Sequence, residues 1–158
     1  MTVAEAPVLS TEDAMGRLDS LLDLAMIRQK LADPEEGKGY SKEHLDLLEA
    51  EYRKFLALRL SRPEYNIVPC KIVDEMWHQH ILDTIAYRND CDAIFGRFMD
   101  HFPYFGMRGP EDAQDLADAY DETLECYREA FGDPPADTWI STEGSSRCRT
   151  GCKPVKCR

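Results

Sequence analysis

Three apolar stripes at helical spacing, each closed by proline or glycine, limit most what this chain can fold into. Leu18, Leu21, Leu22, Ala25 and Met26 form the first, and Leu45, Leu48, Tyr52, Phe55 and Leu56 the second. Leu116, Ala117, Tyr120, Leu124, Tyr127 and Phe131 form the third. Residues three or four apart share one face of a 3.6-residue helix, whereas a half-buried strand needs a period of two. No run of alternating apolar residues around a tight turn occurs, and there is no internal repeat. The pattern predicts an all-α fold, a compact bundle of four to five helices.

Stop and start signals set the expected boundaries. Ser10 offers an N-cap for a helix running to about Leu31, which Asp33-Pro34 ends. Ser41 opens a second helix that must stop before Pro63, because a residue ahead of proline avoids the helical region. His44, on its outer turn, is expected to face solvent. Arg62 to Pro69 reads as an extended connection. A third helix is expected from about Cys70 to Asp90, continuing with or without a break to Phe98. Asp100-His101-Phe102-Pro103-Tyr104-Phe105-Gly106 is aromatic, ends in breakers and is placed in a buried loop. Gly109-Pro110-Glu111-Asp112 starts a last helix, which Gly132-Asp133-Pro134-Pro135 stops.

The 158 residues suit one helical domain over 1–140 followed by a basic, flexible, cysteine-bearing tail over 141–158. That tail carries a net charge of +4, so the first 140 residues carry −15 of the chain's −11. A body this acidic repels phosphate backbones and anionic lipid heads, which argues against nucleic-acid and membrane partners. No apolar run approaches the ~18 residues that span a bilayer, and the first residues show no secretory signal. A cytoplasmic protein is expected. Which small molecule or protein it meets is not written in the sequence.

The functional candidate is the segment around Trp77-His78-Gln79-His80, with His101 following in the aromatic loop. On a helical wheel Val73, His80, Thr84, Tyr87 and Cys91 share a narrow sector, flanked by Met76 and Trp77. Residues two apart lie about 200° apart, so His78 and His80 face nearly opposite ways on a straight helix. Both bind one ion only if the helix starts or bends at His78-Gln79. Otherwise one of them binds, assisted by Tyr87 or Asp83 and by His101. Asp74 stands one turn before His78, where a carboxylate can orient a metal-bound imidazole. Imidazole with phenol or carboxylate suits a divalent transition metal: zinc, iron or copper. The bland alternative is that these histidines are hydrogen-bonded core residues.

Cys70, Cys91 and Cys126 are scattered through helical sequence, where a free thiol behaves as a small hydrophobe. Cys148, Cys152 and Cys157 crowd the end of the chain among Arg and Lys, which lower thiol pKa values and raise reactivity. Their spacing matches no zinc ribbon. There is no Gly-x-Ser-x-Gly, no Gly-rich phosphate loop and no His-Glu-x-x-His, so the common hydrolase, kinase and metalloprotease classes are disfavoured.

Val73-Asp74-x-x-Trp77-His78-x-His80, then Tyr87-x-x-Asp90-Cys91 and Gly96, resembles the conserved pattern of plant glycine-rich-domain proteins and their bacterial and fungal relatives. The resemblance covers roughly Ile67 to Gly106 and supports Trp77, His78, His80, Tyr87, Asp90 and Cys91, but not Asp83. The glycine-rich region that names that family is missing here. The family has no defined biochemical activity, so the resemblance implies a shared site and no reaction.

The reading that emerges is a metal-binding helical protein, in its stronger form a small metalloenzyme, with His78, His80 and His101 as ligands. Trp77, Tyr87, Asp90, Cys91, Asp74 and Asp83 would support them. Two alternatives stand beside it: a non-enzymatic helical interaction module in which the Trp-His-x-His segment is structural, and a thiol or metal relay through the terminal cysteines.

Overall fold

The computed structural model describes residues 8–139, and within them every regular element is helical. Six helices run in the order α1 (Thr11–Leu21), α2 (Ala25–Ala32), α3 (Lys42–Ser61), α4 (Lys71–Leu82), α5 (Thr84–Phe95) and α6 (Pro110–Phe131). No strand occurs among the described residues. The all-α expectation holds, while the count of four to five helices is corrected to six. Both extra helices come from breaks inside segments read as continuous.

The first break, at Leu22 to Leu24, follows from which leucines are buried. Leu22 and Leu24 are 4% and 1% exposed. Two residues apart, they would point about 200° apart on one straight helix, so burying both requires the chain to leave helical geometry. Asp23 then accepts a hydrogen bond from the Ala25 N–H at 2.9 Å. The core stripe is therefore Ala14, Leu18, Leu22, Leu24, Ile27 and Leu31. Leu21 and Met26, read from the sequence as part of it, are exposed.

The second break lies at Asp83, whose backbone leaves the helical region (φ −81°, ψ 75°) and whose carboxylate caps α5 by accepting from the Ala86 N–H at 3.2 Å. Two hydrogen bonds cross the break. Trp77 Nε1 donates to the Tyr87 hydroxyl at 3.0 Å, and His80 Nε2 meets Asp90 Oδ2 at 2.8 Å. Each joins residues ten apart, which a straight helix would separate by about 15 Å along its axis. α4 and α5 must therefore fold against each other. Thr84, placed by the single wheel in the core sector, is exposed.

α3 is the central helix and packs against α1, α2, α4 and α6. Its Arg53 donates to the carbonyls of Leu18 and Leu22 at 3.0 and 2.9 Å, capping the end of α1, where Leu18 also accepts from the Leu22 N–H. Arg28 of α2 is clamped by Asp46 and Glu49 of α3. His44, expected in solvent, is half-buried with its ring edge-on to Tyr40. α6 begins at Gly109-Pro110 and stops at Gly132, as expected. Beyond it, Trp139 returns to the core at 1% exposure, its Nε1 donating to Glu51 at 2.8 Å. The segment from Ser141, with Cys148, Cys152 and Cys157, lies outside the described residues. No described helix is long and apolar enough to cross a membrane.

Candidate metal centre

α4 carries two imidazoles to two different places. Val73, Met76, Trp77 and His80 form its buried face. Asp74 and His78, four residues apart, share another face, and His101 reaches them from the segment after α5. His78 Nε2 lies 2.9 Å from His101 Nε2. His101 Nε2 lies 3.1 Å from Asp74 Oδ1, and His78 Nε2 3.4 Å from Asp74 Oδ2. Side-chain exposure is 52% for His78 but only 11% and 16% for His101 and Asp74, so the cluster is walled on one side and open on the other.

These three donors have the separations a metal imposes on its ligands. Bonds of about 2.0–2.1 Å place neighbouring ligand atoms about 2.8–3.4 Å apart in octahedral or tetrahedral geometry. Without an ion, the two facing Nε2 atoms can satisfy each other only if one of them carries the proton, since an imidazole nitrogen either donates or accepts. Among the described residues this is the one group of three such side chains whose donor atoms gather so closely.

His101 stands in a segment with no helical hydrogen bonds of its own, so its placement depends on neighbours. α5 ends at Gly96 in the left-handed region (φ 68°), which turns the chain back. Tyr87 then donates to the Met99 carbonyl at 2.5 Å, two residues before His101. The Trp77 ring lies edge-on to His101 with centroids 4.8 Å apart.

His80 occupies a separate, buried environment. Its Nδ1 is 2.8 Å from the Tyr52 hydroxyl and its Nε2 2.8 Å from Asp90. With Tyr52 donating to Nδ1 and the Nε2 proton directed at Asp90, a neutral ring satisfies both neighbours. Burial pushes its pKa down, opposed by the Asp90 carboxylate. Both ring nitrogens are thus engaged away from His78 and His101. The structure brings together two of the three histidines singled out from the sequence, and Asp74 stands where His80 was expected.

The supporting residues sort in the same way. Trp77 packs against His101, Tyr87 bonds the Met99 carbonyl two residues before it, Asp90 meets His80, and Asp83 caps α5. Cys91 is buried, which pushes its thiol pKa up, the neighbouring Met99 backbone and Tyr87 side chain opposing the shift. Cys70 is pushed up to about 12 by burial. Tyr52 and Met99 were missed. Tyr52 was recognised only as an apolar stripe residue, and nothing local distinguishes a tyrosine that bonds a histidine from one that fills space.

A helical protein with two imidazoles and a carboxylate gathered at a half-open surface is the class that fold and site define. The family model described as UCP032817-like matches residues 24–133, well over half of the chain, and the chain belongs to that uncharacterised family. The matched span runs from the start of α2 past the end of α6 and includes Asp74, His78 and His101. This corrects the resemblance to the glycine-rich-domain proteins, which the comparisons do not indicate. No curated protein and no solved structure matches the chain.

Proposed function

We propose that this protein binds one divalent transition metal through Asp74, His78 and His101, and that the site's open side serves a reaction or a ligand. The observation that carries this is the convergence of three lone-pair donors within 2.9–3.4 Å of one another at the edge of a rigid helix. Two imidazoles and a carboxylate suit zinc or iron, and two histidines with one carboxylate and vacant positions is a set that non-haem iron enzymes use. Three protein ligands leave room for water or substrate, the requirement of a catalytic rather than a structural metal. The strongly acidic composition supports retention of a cation and disfavours nucleic acid as a partner. Three free buried thiols fit a reducing, cytoplasmic setting.

Elemental analysis of protein purified without a histidine tag tests the reading. The expected content is about one zinc or iron per chain, as a single three-ligand site requires. It should fall to background in His78→Ala and in His101→Ala. Metal that persists unchanged in both variants, or wild-type protein that takes up none when offered zinc or ferrous iron, removes the proposal. The interaction-module reading fits the other half of the segment, because Trp77 and His80 are buried and hydrogen-bonded like core residues.

A further inference from the structure

The chain that bears His101 is fastened to Tyr87 of α5. Its hydroxyl accepts from Trp77 Nε1 at 3.0 Å and donates to the Met99 carbonyl at 2.5 Å. Cys91, one turn further along α5, lies beside the same Met99 backbone. Met99 is 1% exposed, its carbonyl held by Tyr87 and its backbone lying beside a residue four further along the same helix. The Phe98 ring adds an edge contact to Tyr87 at 5.4 Å. His101 follows two residues later and meets the ring of Trp77, the residue whose N–H feeds the same hydroxyl.

We infer that Tyr87 is the positioning residue of the metal centre: through the Met99 carbonyl it fixes the distance of His101 from α4. The inference rests on the proposed metal site and assigns a purpose to the Tyr87-x-x-Asp90-Cys91 spacing. Tyr87 holds the Met99 carbonyl, Cys91 lies beside the same backbone, and Asp90 between them meets His80. Beyond this bond, the His101 segment is located by the Trp77 ring and the Asp74–His78 pair on α4, and further along by Phe105 in the core and by Asp112 of α6, which accepts from the Gly106 and Arg108 N–H groups; the Tyr87 bond is the hold nearest the turn at Gly96. Residues that orient a metal ligand through a hydrogen bond typically change metal affinity by roughly 10–100-fold when removed.

Tyr87→Phe separates positioning from general stability when set beside Tyr127→Phe, which removes another buried hydroxyl bond, to Glu51 at 2.8 Å, far along the chain from the cluster. Two readings are taken on each. One is zinc affinity by competition with a chromophoric chelator. The other is the position of the His101 ring resonances in metal-free protein, which the neighbouring Trp77 ring displaces. The expected result is zinc binding weakened roughly 10–100-fold in Tyr87→Phe, with the His101 signals moving toward free histidine. Tyr127→Phe should leave both readings as in wild type. If Tyr87→Phe changes neither, or if Tyr127→Phe changes both as much, the inference is overturned. Should wild type bind no zinc, the metal proposal falls, and the His101 resonances alone decide whether Tyr87 positions the ring. If Tyr87→Phe loses its helical circular dichroism, Cys91→Ala, which removes the thiol beside the Met99 backbone, is judged by the same two readings and the same outcomes.

Discussion

His80 sits between a buried phenol and a carboxylate, and this decides what an apolar replacement does. Leucine fills a similar space but removes the hydrogen bonds that Tyr52 and Asp90 each make to the ring. Losing a partner at a buried polar group costs about 1–3 kcal/mol, so His80→Leu should lower unfolding free energy by about 2–4 kcal/mol. A urea titration reads this as a lower midpoint at unchanged slope, with zinc uptake per folded chain retained. A variant as stable as wild type would show that the two bonds contribute nothing net. The opposed directions of His78 and His80 were legible from the sequence, because two residues on a helix always differ by about 200°. Which of the two meets His101 was not. That depends on where the chain emerges after Gly96, which is fixed by the Tyr87–Met99 bond between residues twelve apart. Asp74 was legible as a neighbour of His78 and not as a donor of equal standing, since its own distance to His101 is tertiary.

At the scale of elements, the proline and glycine signals that bound α6 were readable; the Gly96 stop of α5, read through to Phe98, was not, nor were breaks without such residues. α6 lies where Gly109-Pro110 and Gly132 put it. The breaks at Leu22–Leu24 and Asp83 carry neither residue. They arise because the core takes both Leu22 and Leu24, and because Trp77 and His80 find partners on α5, information that lies outside any window along the chain. The start of α6 also holds the loop before it. Asp112, in the first turn, accepts from the backbone N–H groups of Gly106 and Arg108 at 2.7 and 3.1 Å and from the Arg108 guanidinium at 2.6 Å. That guanidinium, helped by the two N–H groups, draws the Asp112 pKa down to about 2. An unfolded aspartate titrates near ~3.9. The unfolded chain therefore binds the proton first as pH falls. The stabilisation from Asp112 is complete above about pH 4 and disappears as pH drops through about 2. Thermal melts of wild type and Asp112→Asn should differ most at neutral pH and converge between pH 4 and pH 2. A gap that stays constant across that range would place the effect of the substitution elsewhere than in this carboxylate's charge.

At the scale of the whole molecule, one buried acid joins the centre of the fold to the last described residues. Glu51, on α3, is 1% exposed. One carboxylate oxygen accepts from the Tyr127 hydroxyl of α6 and from Trp139 Nε1, both at 2.8 Å, and the other faces Lys54 at 2.9 Å. Trp139 also accepts, through its carbonyl, from the Tyr120 hydroxyl, so it is tied to α3 and α6 at once. None of this was readable in the sequence. Trp139 stands alone between Pro134-Pro135 and a serine- and glycine-rich stretch, with no periodic neighbour to mark it as core, and Glu51 looks like any acid on a charged helix. Removing one partner of a buried, hydrogen-bonded charge costs about 3–5 kcal/mol, and emptying a tryptophan site costs about as much. Glu51→Ala and Trp139→Ala should each lower stability by roughly that amount. Because they share one hydrogen bond and one cavity, the double variant should lose less than the sum, by about 0.5–3 kcal/mol, the range for residues in direct contact. Denaturant titrations of the four proteins give the number. Strict additivity would mean that Glu51 is sustained by Tyr127 and Lys54 alone, with Trp139 held by packing against the rings of Tyr120 and Tyr127 and by the Tyr120 bond to its carbonyl.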